Sequence, residues 1–161
     1  MSKIVLELHI NGEAHEVLAE PHWTLLDVLR GPLGLLGTKV NCLEAECGVC
    51  TVLLDGKAVN SCILLAVQCR GRRILTIEGI GRPGKLHPLQ QAFIDHGAAQ
   101  CGYCIPGMLL TAKSYLDEHP GVVPGPEAVR EAIAGTLCRC TGYQKIVDAI
   151  RAAAVRMKEP D

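Results

Sequence analysis

Apolar and polar residues alternate at the start of the chain, as they do in a β-strand with one buried face. The apolar positions of this first pattern are spaced two residues apart: Ile4, Leu6, Leu8 and Ile10. The Asn-Gly pair at 11–12 predicts a tight hairpin turn, with the return strand at 14–18. Thr24 and Asp27 have the spacing of a helix capping box, which predicts a short helix over 25–29.

A second hairpin is predicted further along the same half of the chain. The Asp-Gly pair at 55–56 separates two short strand patterns at 51–54 and 57–60. A last strand is predicted over 73–77. The first half is therefore expected to form a small β-sheet.

Beyond residue 85 the apolar residues follow the period of α-helices instead. Pro106 is expected at the first position of one helix, where its missing N–H removes no hydrogen bond. Two further helices are predicted over 128–134 and 143–157. The first helix of this half carries its apolar face on Leu86, Leu89, Phe93 and Ile94. The Gly-rich segment 78–85 is interpreted as a linker between the two halves.

The layout predicts an α+β protein of two small domains, 1–78 and 79–161. Hydrophobic residues make up 48% of the 161 residues, but aromatic residues only 3%, so each core must be built from aliphatic side chains. Small domains with thin cores usually need disulfides or metal for stability. The nine cysteines of the chain are candidates for that role.

Charge and hydropathy exclude two classes of partner. The formal net charge is −1 and no basic stripe occurs, so nucleic acid is not an expected partner. The longest apolar stretches are too short to span a bilayer, and the first residues lack the continuous apolar segment of an export signal. We therefore expect a cytoplasmic protein, whose cysteines serve as metal ligands or redox groups rather than as disulfides.

Four cysteines of the first half have the spacing of a plant-type [2Fe–2S] site. Cys42, Cys47 and Cys50 form C-x4-C-x2-C, and Cys62 follows the second hairpin. A tight loop containing Gly48 can supply three thiolates together with backbone N–H donors. Zinc also takes four thiolates, but it usually binds two separate knuckles, so this spacing favours iron.

Four cysteines of the second half form a second candidate site. Cys101 and Cys104 are spaced C-x2-C, and Cys138 and Cys140 are spaced C-x-C. Both pairs are expected at helix ends. Pro106 places the first pair just before a helix N-terminus, where backbone N–H groups favour an anionic thiolate. From the residues alone an iron–sulfur site is favoured, and a zinc site or a redox dithiol remains open.

The remaining candidate features carry weaker predictions. Cys69 follows an apolar run and is expected to be a small buried residue. The glycines at 79–84 spell G-x-G-x-x-G, but Pro83 interrupts the motif and no βαβ unit surrounds it, so we interpret it as linker. The apolar segment 105–110 is expected to form a surface that a partner buries.

Three segments together resemble a known family. They are ECGVCTV at 46–52, QCGYCIPGM at 100–108 and LCRCTGY at 137–143. In this order they resemble the small iron–sulfur subunit of molybdenum hydroxylases, the family of xanthine oxidase and aerobic carbon monoxide dehydrogenase. Two local departures are Asn41, where the family often has Gly, and Ile105, where Thr is common.

The resemblance implies a plant-ferredoxin-like β-grasp domain followed by a four-helix bundle, each with one [2Fe–2S] cluster. It implies a non-catalytic electron-transfer subunit that accepts electrons from a molybdopterin cofactor in a large subunit. The acceptor would be an FAD-binding medium subunit or another carrier, and the assembly a dimer of heterotrimers. The second cluster would lie nearer the molybdenum, with Gln100 and Cys140 in contact with the molybdopterin.

Two other functions remain compatible with the residues. One is a free-standing two-cluster ferredoxin that serves several partners, and the other is a zinc-stapled interaction module. No catalytic residue is predicted, because the chain shows no molybdenum or flavin site of its own.

Overall fold

A computed structural model of the chain describes residues 2–158. Five strands form one mixed sheet in the order β2-β1-β5-β3-β4. The pair β1 and β5 is parallel and the other neighbours are antiparallel. The strands are β1 Ile4–Ile10, β2 Glu13–Ala19, β3 Thr51–Leu54, β4 Lys57–Asn60 and β5 Arg73–Leu75.

Both predicted hairpins are present, because their turn residues adopt the backbone that such turns require. Asn11 and Gly12 have φ values of 54° and 88°, and Asp55 and Gly56 have 50° and 86°. Positive φ at both central residues matches the right-handed twist of the flanking strands.

The short helix α1, Leu25–Arg30, begins at the predicted capping box. The Thr24 side chain accepts a hydrogen bond from the Asp27 backbone, and the Asp27 carboxylate accepts one from the Thr24 N–H. At the other end of α1, the Arg30 guanidinium donates to the carbonyl of Thr38 at 2.6 Å. That bond holds the start of the loop that carries the first cysteines.

Four helices follow the sheet: α2 Pro88–Asp95, α3 Ile105–Glu118, α4 Pro126–Ala132 and α5 Gln144–Lys158. Their existence was predicted, and their ends differ from the prediction by a few residues. Pro106 stands second in α3 rather than first, because Cys104 is the N-cap. The last strand ends at Leu75, because the chain turns into a 3-10 helix over Ile77–Gly79.

Strand β3 lies between two apolar cores, which joins the two halves of the chain. Val52 and Leu54 pack in the core that α1 and the sheet share. Leu53 points to the opposite face and packs in the core of the helices. All three side chains are buried, as expected for a strand covered on both faces.

The predicted linker segment is fixed at its start. The Gly37 N–H donates to the Glu78 carboxylate at 2.8 Å, and Ile80 is buried in the helical core. Segment 78–85 therefore packs against both halves over its first residues.

The expectation that 105–110 forms a partner-facing surface is wrong. The segment Gly107, Met108, Leu109 and Leu110 is buried inside the chain, where α3 packs on β3 and on the first cysteine loop. Its apolar character serves the contact between the two halves. Among residues 2–158, no helix combines the length and apolar character needed to cross a bilayer.

Candidate metal centres

The first cysteine set lies in the loop between α1 and β3. Leu43, Ala45 and Gly48 have φ values of 62°, 61° and 68°, so the backbone repeatedly reverses direction. Such left-handed residues are rare outside glycine and indicate a loop whose shape is tightly determined. The reversals turn backbone N–H groups toward the cysteine sulfurs.

The sulfur of Cys42 accepts such a hydrogen bond from the backbone. The Glu44 N–H donates to its sulfur at 3.4 Å. The N–H groups of Glu44 and Cys47, together with the Cys47 side chain, lower the pKa of the Cys42 thiol to about 7. Backbone donors thus favour the thiolate, the form that binds metal.

Cys62 comes to the loop from the end of the second hairpin. The Ser61 hydroxyl donates to the Cys50 carbonyl at 2.7 Å, and the Asn60 amide donates to the Ala45 carbonyl at 3.0 Å. Cys50 and Cys62 lie side by side in one apolar cluster. Burial, with a smaller contribution from Cys62, raises the pKa of the Cys50 thiol to about 11.

The second cysteine set joins the start of α3 to the loop between α4 and α5. The sulfurs of Cys101 and Cys140 lie 3.5 Å apart. Two sulfurs on one tetrahedral metal ion, at about 2.3 Å from it, would be about 3.8 Å apart. Burial, followed by the neighbouring Cys138 side chain, raises the pKa of the Cys104 thiol to about 12. The set thus pairs Cys101 with Cys140 and Cys104 with Cys138.

Each set consequently consists of two neighbouring pairs of sulfurs. Within residues 2–158, no three His, Cys, Asp or Glu side chains converge on a single metal ion. Two pairs, each able to hold one iron, suit a binuclear cluster better than one zinc ion. The thiol ligands, the apolar surroundings and the N–H donors therefore fit a [2Fe–2S] group in each set.

The four cysteines of the second set differ in their exposure to solvent. Cys104 is 6% exposed and Cys138 is half-buried, whereas Cys101 and Cys140 are exposed. Gln100 is exposed beside Cys101, and its side chain makes no hydrogen bond to the described part of the chain. The second set thus has one buried end and one end open to a partner.

The buried end of the second set touches the first set. Cys47, Val49 and Cys104 form one apolar cluster, against which Ile105 and Cys138 pack. The contact is very close: a Cβ at Gly107 would lie 2.5 Å from the carbonyl oxygen of Gly48. The two cysteine sets therefore share a dry boundary.

Some residues of this arrangement escaped the sequence interpretation. Thr141 and Tyr143 hydrogen-bond to Cys138, and Tyr103 donates to the Val40 carbonyl across the two halves. Thr141 and Tyr143 lie inside the LCRCTGY segment, so this motif could have indicated both residues. Nothing local in the sequence indicates that Gly107 packs on the first loop.

Comparison with known families assigns a domain to each cysteine set. Residues 8–74 match the 2Fe-2S iron-sulfur cluster binding domain, and residues 76–151 match the [2Fe-2S] binding domain. The chain is thus an iron–sulfur protein with two [2Fe–2S]-binding domains.

Individual relatives indicate which kind of iron–sulfur protein the chain is. The chain is 49% identical to the nicotinate dehydrogenase small FeS subunit of Eubacterium barkeri, over 97% of this chain and 98% of the relative. It is 41% identical to the aldehyde oxidoreductase iron-sulfur-binding subunit PaoA of Escherichia coli, over 95% of this chain and 72% of the relative. The crystal structure of quinoline 2-oxidoreductase from Pseudomonas putida 86 matches with a TM-score of 0.92 and 44% identity, covering 98% of each chain.

The chain belongs to the family of small iron–sulfur subunits of molybdenum hydroxylases. Its function is electron transfer within an oxidoreductase complex, as the resemblance implied.

Proposed function

We propose that this subunit carries electrons from a molybdopterin site in a large subunit, through two [2Fe–2S] clusters, to an FAD-binding subunit or another acceptor. The first cluster would be held by Cys42, Cys47, Cys50 and Cys62, and the second by Cys101, Cys104, Cys138 and Cys140. A [2Fe–2S] cluster, when bound, takes up and releases one electron at a time. The protein holds the thiolates in place and keeps water out.

The observation that carries the proposal is the shared boundary of the two cysteine sets. Cys47 and Cys104 pack in one apolar cluster, so electrons could pass between the sites without crossing solvent. Two unrelated metal staples would not need this contact. The arrangement therefore favours a relay over a purely structural role.

The exposed end of the second set supports its assignment as the side facing molybdopterin. Cys140 and Cys101 are open to a cofactor that a large subunit presents. Gln100 lies beside them, and its amide can both donate to and accept from the edge of a pterin. We propose that Gln100 and Cys140 contact the molybdopterin.

The rim of the first set supports its assignment as the side facing the acceptor. Leu43 and Ile63 are 56% and 61% exposed, and each follows a cysteine of this set. Exposed apolar side chains beside a redox site suit a surface that a second subunit covers. We propose that the FAD-binding subunit lies here, within a cytoplasmic dimer of heterotrimers.

The proposal includes the finer architecture of the family. We propose that residues 1–78 form a β-grasp domain and that residues 79–161 form a four-helix bundle. The mixed sheet that shares one core with α1 supports the first assignment, and the packing of α2 to α5 in one core supports the second.

Metal analysis of the co-purified complex tests the proposal. Two [2Fe–2S] clusters require four irons and four acid-labile sulfides in each small subunit. Stoichiometric zinc in a colourless chain would refute the proposal in favour of a zinc-stapled module. A stable, fully loaded monomer that binds no molybdopterin subunit would refute it in favour of a free-standing ferredoxin.

A further inference from the structure

The hydroxyl of Thr141 lies 3.1 Å from the sulfur of Cys138. The Tyr143 backbone N–H donates to the same hydroxyl oxygen at 3.2 Å. That bond occupies the oxygen as an acceptor and leaves the hydroxyl hydrogen free for another partner. A metal-bound thiolate has no proton, so the hydrogen between Thr141 and Cys138 must come from the threonine.

The loop that carries Thr141 is held in place by Tyr143. The Tyr143 hydroxyl accepts from the Cys138 N–H at 2.7 Å and donates to the Thr136 carbonyl at 3.3 Å. Tyr143 has a φ of 67°, a costly backbone for an aromatic residue. In this conformation the Tyr143 N–H reaches the Thr141 hydroxyl while the Tyr143 hydroxyl reaches the Cys138 N–H.

The surroundings of Cys138 strengthen its hydrogen bond with Thr141. Cys138 is half-buried and packs with Ile105 against the cluster that contains Cys47. Hydrogen bonds are electrostatically stronger in such surroundings than in water. At the opposite end of the set, Cys140 is exposed and has the sulfur of Cys101 as its neighbour.

We propose that Thr141 sets the reduction potential of the second centre by donating its hydroxyl hydrogen to the thiolate of Cys138. The proposal rests on the function proposed above, in which Cys138 is a cluster ligand. Reduction adds one electron and one negative charge to the centre, while Thr141 keeps its hydrogen. A donor to a ligand sulfur stabilises that added charge and so raises the reduction potential.

The consequence is a favourable uptake of electrons by the second centre. With a raised potential, this centre accepts an electron more readily from its exposed end. Thr141 therefore affects the first transfer into the subunit without touching the molybdopterin.

The test compares Thr141→Val with Thr141→Ser in the assembled complex, by EPR-monitored redox titration. Valine is close in shape to threonine but has no hydroxyl, whereas serine keeps it. Thr141→Val should shift the potential of the second centre to a more negative value and leave the first centre unchanged. Thr141→Ser should stay near the wild-type value.

Thr111→Val is the matched control for loss of a hydroxyl nearby. Thr111 hydrogen-bonds to Thr136 at 3.2 Å and to no cysteine sulfur among the described residues. It should leave both potentials unchanged. An exchangeable-proton coupling in the ENDOR spectrum of the reduced second centre should vanish in Thr141→Val and persist in Thr111→Val.

Three outcomes would overturn the proposal. The first is an unchanged potential of the second centre in fully loaded Thr141→Val. The second is an equal shift in Thr111→Val. The third is loss of iron from the second site in Thr141→Val and also in Thr141→Ala, a second variant that lacks the hydroxyl. The last would indicate a structural role only. Failure of the proposed function would appear differently, as the absence of a second [2Fe–2S] signal in the wild-type complex.

Discussion

The backbone N–H of Leu137 donates a hydrogen bond to the carbonyl oxygen of Cys47 at 2.9 Å. Cys47 belongs to the first cysteine set, and Leu137 immediately precedes Cys138 of the second. This hydrogen bond therefore joins the backbone of one proposed ligand, Cys47, to the residue that precedes a proposed ligand of the other centre, Cys138. Together with the apolar cluster around Cys47 and Cys104, it holds the two cysteine sets against each other and offers a short bonded route between them.

Replacement of one first-set cysteine should affect one centre only. Cys47→Ser keeps the backbone carbonyl that Leu137 uses, so the contact between the halves should survive. We expect EPR to show one of the two [2Fe–2S] signals lost or perturbed and the other largely intact. Cys69→Ala is the control, because Cys69 lies in the sheet core away from both sets, and both signals should persist. Loss of both signals in folded Cys47→Ser protein would contradict independent centres.

Because α3 lies so close to the first cysteine loop, we expect a glycine-to-alanine substitution in this helix to lower stability rather than raise it. Gly→Ala in a helix normally stabilises by up to about 1 kcal/mol. At Gly107 the added Cβ would meet the Gly48 carbonyl at 2.5 Å, so Gly107→Ala should destabilise by about 1–3 kcal/mol. Chemical unfolding measures the change. Gly135→Ala, whose Cβ would meet nothing within 4 Å, should remain within about 0.5 kcal/mol of wild type. A stabilised Gly107→Ala would show that the halves separate easily.

Ile105 should protect both centres from solvent at once. It packs against the cluster that contains Cys47 and Cys104, so truncation would open space beside ligands of both sets. We expect Ile105→Ala to accelerate the chelator-induced loss of colour from both centres. Ile94→Ala removes the same atoms from a side chain that is 63% exposed and should keep the wild-type rate. Faster loss from one centre alone would place Ile105 in that centre rather than between the two.

Gln100 should affect the delivery of electrons from the molybdopterin and leave the clusters themselves unchanged. In the assembled complex, Gln100→Ala should slow reduction of the clusters by substrate or lower the occupancy of the molybdopterin. In the same complex reduced by dithionite, both EPR signals should be unchanged. Gln91→Ala changes another exposed glutamine, on α2, and should behave as wild type. Wild-type turnover, occupancy and reduction rates in Gln100→Ala would remove Gln100 from the cofactor contact.

Mild acid should weaken the start of α2 through His87. Its Nδ1 accepts from the Leu89 N–H at 3.2 Å, and burial, followed by the nearby Lys113, lowers the pKa of His87 below its usual 6.5. The unfolded state then binds the proton more readily, so this contribution to stability is complete above pH 6.5 and is lost as pH falls below it. Wild-type stability should drop from pH 7.5 to 6.0.

Two substitutions isolate that pH effect. His87→Asn keeps a side-chain cap that does not titrate, and its pH dependence should be flatter. His96→Asn changes the exposed histidine at the other end of α2 and should keep the wild-type slope. Equal slopes in wild type and His87→Asn would assign the pH dependence to other groups.

Local patterns predicted the parts of this molecule that are determined locally. The turns at Asn11 and Asp55 and the cap at Thr24 each depend on residues a few positions apart, and the structure has all three. The C-x4-C-x2-C, C-x2-C and C-x-C spacings are equally local, and the assignment of these cysteines as cluster ligands stays a prediction. The apolar run before Cys69 also predicted that this residue is buried, and it lies in the sheet core.

The relation between the two halves could not be predicted in the same way. The segment 105–110 reads as apolar whether it is covered by a partner or by its own chain, and only the fold decides between the two. The contact of Gly107 with Gly48 joins residues that lie far apart in the sequence. Thr141 was visible in the motif, but its role depends on the turn that brings its hydroxyl back to Cys138.

The burial of Cys69 bears on how the clusters are built. A newly made chain offers nine thiols to the machinery that inserts iron and sulfide, although the two proposed centres use only eight. Cys69 has no exposed surface, and burial raises the pKa of its thiol to about 11. Once the sheet has formed, this thiol stays protonated and out of reach, so it cannot capture an incoming iron. Folding of the first core thus removes Cys69 from the thiols that incoming iron can reach.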